Sequence, residues 1–77
     1  MTRQLLTRYA DFDTAAFDSD AENRGNAGLS LLQLWRGDGG AHWALFGVND
    51  PDKARAWLDK SGALGHGPTE SHFLETA

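Results

Sequence analysis

Residues 29–50, LSLLQLWRGDGGAHWALFGVND, constrain the fold more than any other part of the chain. Two runs rich in Leu, Trp and Phe flank the centre Arg36-Gly37-Asp38-Gly39-Gly40. Its three glycines supply the positive φ angles that a tight reversal needs, so the stretch reads as a β-hairpin. In strict alternation Leu29, Leu31 and Trp35 point one way, and Leu32, Leu34 and Arg36 the other. A strand with one buried face shows clean alternation, whereas this one is apolar on both faces and calls for cover on both. The returning strand, residues 41–48, sets His42, Ala44, Phe46 and Val48 against Trp43, Leu45 and Gly47. A glycine inside a strand marks a bulge or a close approach to the backbone. The Arg-Gly-Asp within the turn is explained by turn geometry and is read as a turn alone.

The flanking segments complete a regular order. Residues 2–10 form a strand with Arg3, Leu5, Thr7 and Tyr9 on one face and Gln4, Leu6 and Arg8 on the other. Residues 11–24 read as one helix, capped by Asp11 or Asp13, with Ala15, Ala16, Phe17 and Ala21 as a thin apolar stripe. Asp20 and Arg24 form an i,i+4 pair, and Gly25 stands where a helix ends. Asp50 caps a second helix with Pro51 at its first position; Ala54, Trp57, Leu58 and Ser61 make its buried stripe, Lys53, Arg55 and Lys60 face water, and Gly62 stops it. Residues 70–76 close the chain as a fourth strand, with Glu70, His72 and Leu74 opposite in facing to Ser71, Phe73 and Glu75. The β-α-β-β-α-β order predicts an α+β, ferredoxin-like single domain over residues 1–77, with a four-stranded antiparallel sheet and two helices on one face. The apolar residues left on the far face then need a second copy of the sheet, and a homodimer is expected.

Composition narrows the function classes. A domain of 77 residues with no cysteine has neither disulfides nor thiolate metal sites to support a small core, which again favours self-association. No apolar run approaches the ~20 residues of a membrane span, and the start, MTRQLLTRYAD, lacks the apolar region of a signal peptide, so a cytoplasmic protein is expected. With 11 acids, 7 bases and no basic stripe, nucleic acid is not an expected partner.

Motifs with chemistry are sparse. A calcium loop starting at Asp18 would find Asp20 and Glu22 in place, but Asn23 where Gly belongs and Leu29 where the bidentate Glu belongs. His66, Glu70 and His72 have the right donor types for a divalent metal but no recognised spacing, so no metal site is expected. There is no Gly-x-Ser-x-Gly elbow, and the glycine cluster opens onto a strand, where no helix dipole backs a phosphate.

The segments YADFD, FDSDAENRGNAGL, WALFGVNDPDKARAWL and HFLE resemble the small dimeric α+β-barrel proteins of the antibiotic-biosynthesis-monooxygenase-like and cyclase-like group. Residues 9–13 match its first strand-to-helix passage, residues 46–50 with Lys53-Ala54-Arg55 its passage into the second helix, and residues 72–75 its closing strand. The chain departs from the group at Thr14-Ala15-Ala16, at Gly47 and in a short segment after the second helix. The resemblance implies a dimeric α+β barrel without a built-in cofactor, and a pocket with aromatic walls and a few hydrogen-bond donors. In such a pocket His42 and His72 are the candidate catalytic bases, Tyr9, Trp35, Arg36 and Trp43 the candidate ligand contacts, and Trp57 a further aromatic wall. Trp35 and Trp43 are read first as core or interface residues. The expected function is small-molecule binding or assembly; the alternative is a cofactor-independent monooxygenase or cyclase acting on a polycyclic or quinol-like aromatic.

Overall fold

In the computed structural model, which describes residues 3–63, 65 and 67–77, strand β1 (Arg3–Tyr9) lies inside the sheet between β3 (His42–Val48) and β4 (Glu70–Glu75). Strand β2 (Leu29–Arg36) pairs with β3 at the far edge, giving the order β2-β3-β1-β4 with every neighbour antiparallel. Helices α1 (Thr14–Ser19) and α2 (Ala21–Asn26) link β1 to β2, and α3 (Pro51–Ala63) links β3 to β4. The fold is thus α+β, built on an open four-stranded antiparallel sheet.

Alternation in the inner strands decides which face is covered. Leu5, Thr7 and Tyr9 of β1 and Ala44 and Phe46 of β3 are buried on one face, where Ala27, Ala54 and Trp57 from the helical segments meet them. Phe46 and Leu5 are wholly enclosed, and burial of each such side chain contributes roughly 1.5–3 kcal/mol. Thr7 is equally buried because its hydroxyl donates to the carbonyl of Ala44 at 3.2 Å. At the β4 edge Phe73 is half-buried beneath the Arg55 guanidinium, 4.8 Å from its ring. Arg55, expected to face water only, therefore also roofs the end of the core.

Three local expectations are corrected. The single helix over residues 11–24 is two helices. Asp13 caps α1 by accepting from the Ala16 N–H at 3.1 Å, and Asp20 interrupts the helix at φ −87°, ψ 0° before α2 begins. Asp18, Ser19 and Asp20 favour local side-chain bonding over helix continuation, and Asp20 accepts from the Asn23 amide at 2.9 Å. Next, Gly25 and Gly62 lie inside α2 and α3, and the reversal after α2 falls on Gly28 at φ +74°. Finally, β2 carries a bulge between Leu31 and Gln33. Leu31 pairs with Phe46 and Gln33 with Leu45, so the extra residue shifts the phase. Leu34 and Arg36 join Leu29 and Leu31 on the helix side, Trp35 moves to the outer face, and Leu32 stays opposite Leu29 and Leu31 as expected. The expected closeness at Gly47 is met by Leu32, whose methyl lies 3.8 Å from where a β-carbon would stand.

Both hairpin and cap behave as their residues dictate. Asp38–Gly40 form a 3₁₀ turn with Gly39 and Gly40 at φ +79° and +85°; Gly37, expected to share the positive φ, is instead extended at φ −88°, and its N–H donates to the Ala41 carbonyl at 2.7 Å. Asp50 caps α3 by accepting from the Asp52 and Lys53 N–H groups at 3.1 and 3.3 Å. Among the described residues no helix is long and apolar enough to cross a membrane.

Candidate functional site

The break at Asp20 opens a gap between helices. Bounded by α1, α2, α3 and the turn at Gly65 and Gly67 lies a cavity of about 520 Å³. Tyr9 reaches it from the end of β1, Phe12 and Phe17 from the segment around α1, and Trp57 from α3. These rings form a continuous aromatic chain. Tyr9 meets Phe12 edge-on at 5.4 Å and Phe17 at 6.1 Å, and Phe46 joins Phe17 to Trp57 at 6.4 and 5.9 Å. Edge-on and tilted pairs of this kind add specific geometry to simple burial.

The polar lining centres on Asp20 and Arg24. Asp20 accepts a 2.8 Å hydrogen bond from the Trp57 indole N–H, and this bond joins the α1–α2 junction to α3. Arg24 is 7% exposed; its guanidinium donates to the Phe17 carbonyl and stacks over the Phe17 ring at 3.8 Å. The Asp20 carboxylate is 3.9 Å from it, an ion pair beyond hydrogen-bond reach. Burial pushes the Tyr9 hydroxyl above its usual pKa, and Asp20 adds to the rise; a hydrogen bond with Thr7 and the charge on Arg24 oppose it. The Tyr9 phenol is therefore neutral and able to donate at physiological pH. Beyond the Asp20–Trp57 bond lies a smaller cavity of about 290 Å³, where Lys53 and Lys60 stand.

The six site residues expected from the sequence are divided by the sheet. Tyr9, Arg36 and His42 belong to the helix-side face, because Tyr9 pairs with His42 and His42 with Arg36. Trp35 and Trp43 pair with each other on the outer face, where the Arg8 guanidinium lies 5.9 Å from the Trp43 ring. His72 pairs with Leu6 and shares that outer face, its Nε2 3.9 Å from Glu70. Tyr9 alone of the six lines the larger cavity. His42 sits just outside it, stacked on Phe12 at 4.3 Å, with its Nδ1–H donating to the Gly40 carbonyl at 3.1 Å. Of the His66, Glu70 and His72 set, His66 lies outside the described residues. Among those described, no group of three or more His, Asp or Glu side chains is placed to hold a metal.

Trp57, expected among the aromatic walls of a pocket, does line this cavity, whereas Arg24, Asp20, Phe12 and Phe17 were not singled out as pocket residues from the sequence. A signal existed for two of them, since the Asp20–Arg24 spacing is visible, but a helical i,i+4 pair on a surface gives no hint that the arginine is buried. Trp57 carries the periodicity of a core residue, which it also is.

The outer face is the other conspicuous feature. Leu32, Trp35 and Leu74 are 52%, 44% and 43% exposed there, beside half-buried Leu6, Trp43 and Leu45. No family model, curated protein or solved structure matches the chain.

Proposed function

We propose that the chain has a ferredoxin-like fold and works in the cytoplasm as a homodimer, an α+β barrel closed by two sheets packed outer face to outer face, with a small-molecule-binding role. The uncovered outer face carries this reading. The protein measures 33 × 26 × 17 Å, a slab only two layers thick; among the described residues, helices cover one side of the sheet and nothing covers the other. An exposed apolar patch of this extent marks an interaction surface. The broad face, 33 by 26 Å, is large enough to supply the ~800 Å² per partner of a standard stable interface. Its charged groups suit a self-complementary contact: Arg8 and Glu70 are already within 3.8 Å of each other, so neither needs a partner from the other copy. The strand order β2-β3-β1-β4 supports the ferredoxin-like assignment, with the first helix broken in two.

The helix-side cavity favours ligand binding over a purely structural dimer. Catalysis by a paired His42 and His72 is the weaker reading, because the two imidazoles lie on opposite faces of one sheet. The test is sedimentation of the protein and of Trp43→Ala at micromolar concentration. The unaltered chain is expected to sediment as a dimer, and Trp43→Ala to dissociate with its secondary structure retained. A monomeric parent overturns the barrel; a variant that stays dimeric removes Trp43 from the interface.

A further inference from the structure

We infer that the cavity under α1 and α2 binds a small aromatic carboxylic acid as its monoanion, with Arg24 and Tyr9 holding the carboxylate and Phe12, Phe17 and Trp57 enclosing the ring. This deepens the small-molecule reading above and rests on it. The starting point is Arg24. A guanidinium has five N–H donors, yet among the described residues this one donates only to the Phe17 carbonyl. The nearest Asp20 oxygen, which accepts from the Trp57 indole at 2.8 Å, stands 3.9 Å from the guanidinium, beyond hydrogen-bond reach, so it pairs with Arg24 by charge alone. No buried side-chain nitrogen or oxygen among the described residues lacks a partner, so a guanidinium nitrogen without a bond among those residues keeps access to solvent, and Arg24 is one of the residues that line the cavity.

A planar fork of N–H groups in a site of reduced dielectric selects a planar, two-oxygen acceptor, and a carboxylate matches it in both charge and shape. Tyr9, 6% exposed, lines the same cavity and carries the second, neutral donor of the proposed grip. The volume, about 520 Å³, accommodates a ring bearing one short acidic arm. Asp11 and Asp13 stand exposed along the lining and carry the same sign as the ligand. They disfavour a second anionic group, which restricts the ligand to one acid directed inward and an uncharged body.

The test uses phenylacetate, phenylacetamide and phenethylamine as matched probes, read by the indole N–H resonance of Trp57, assigned by its loss in Trp57→Phe. Phenylacetate at millimolar concentration is expected to displace that resonance saturably, with the amide and the amine at least about tenfold weaker. Arg24→Lys keeps the charge but loses the fork and is expected to weaken phenylacetate about tenfold. Tyr9→Phe keeps the ring in the core and is expected to weaken it several-fold, which preserves the test should Arg24→Lys disturb the fold. Equal binding of the amide or the amine overturns the carboxylate class and leaves a small-molecule site. Unchanged affinity in Tyr9→Phe and in a folded Arg24→Lys overturns the assigned grip. No displacement by any of the three probes overturns the site itself.

Discussion

Tyr9 and Trp57 are where single atoms bear on the properties of this protein. Tyr9 is the one tyrosine of the chain, so its phenolate absorbance reports a single group. Its pKa is raised in the folded state above the ordinary 10.0, chiefly by burial. The folded protein therefore holds this proton more tightly than the unfolded chain does. The associated stability is complete below about pH 10 and is lost as pH rises through the folded value. Spectrophotometric titration is expected to show the phenol ionising above its value in the unfolded chain. Tyr9→Phe is expected to remove part of the alkaline fall in denaturation midpoint; an identical fall in both proteins refutes the assignment. Trp57→Phe keeps most of the ring volume and deletes the 2.8 Å bond to Asp20. A hydrogen bond to a partly exposed carboxylate is expected to contribute about 1–2 kcal/mol, read by urea denaturation. If the bond is the cause, Trp57→Phe and Asp20→Asn will be far from additive in a double-mutant cycle. Of these partners the sequence reveals the Asp20–Arg24 spacing and the burial of Trp57. It does not reveal that Trp57 and Asp20 meet, since 37 residues separate them.

Elements were legible where one periodicity dominates. Strands β1, β3 and β4 keep the faces their alternation predicts, and α3 has its cap, its first-turn proline and its buried stripe where the residues place them. In β2 the rule fails for a physical reason. When both faces are apolar, alternation carries no information about register, and an inserted residue such as Leu32 leaves no trace. The ends of the helices fail differently, because a glycine can end a helix or simply sit in one. Gly25 and Gly28 separate these cases. A β-carbon at Gly25 meets nothing within 4 Å, and the residue is helical, so Gly25→Ala is expected to stabilise by about 0.5–1 kcal/mol. Gly28 has φ +74°, and its β-carbon would lie 3.2 Å from the Asp50 amide nitrogen and 3.3 Å from the Asn49 β-carbon. Gly28→Ala is expected to destabilise by at least about 1–2 kcal/mol. Chemical denaturation of the two variants checks both signs at once, and a stabilising Gly28→Ala would contradict the role given to the reversal.

At the scale of the whole molecule, the apolar character of both faces of β2 was readable from its residues, and the two-layer architecture followed from element order. The cavity was not, because it depends on a helix break whose partner is a tryptophan on another element. The outer face offers the sharpest test of how the slab is completed. Leu32 is the bulged residue, 52% exposed and on the uncovered side, so its side chain contributes little to the core of its own chain. Leu32→Asp is therefore expected to change the stability of an isolated chain by no more than about 0.5 kcal/mol. In a face-to-face dimer the same change places a carboxylate at an apolar contact, where desolvation without a partner is strongly unfavourable. Dimerisation makes the thermal midpoint depend on protein concentration, whereas a monomer shows no such dependence. The parent is expected to show that dependence and Leu32→Asp to lose it, with the variant's midpoint falling to the parent's value at high dilution. Were both proteins to show the same concentration dependence, the partner would have to sit away from Leu32. The edge of β2, where Leu31 and Leu34 are exposed on the helix side, would then become the surface to examine.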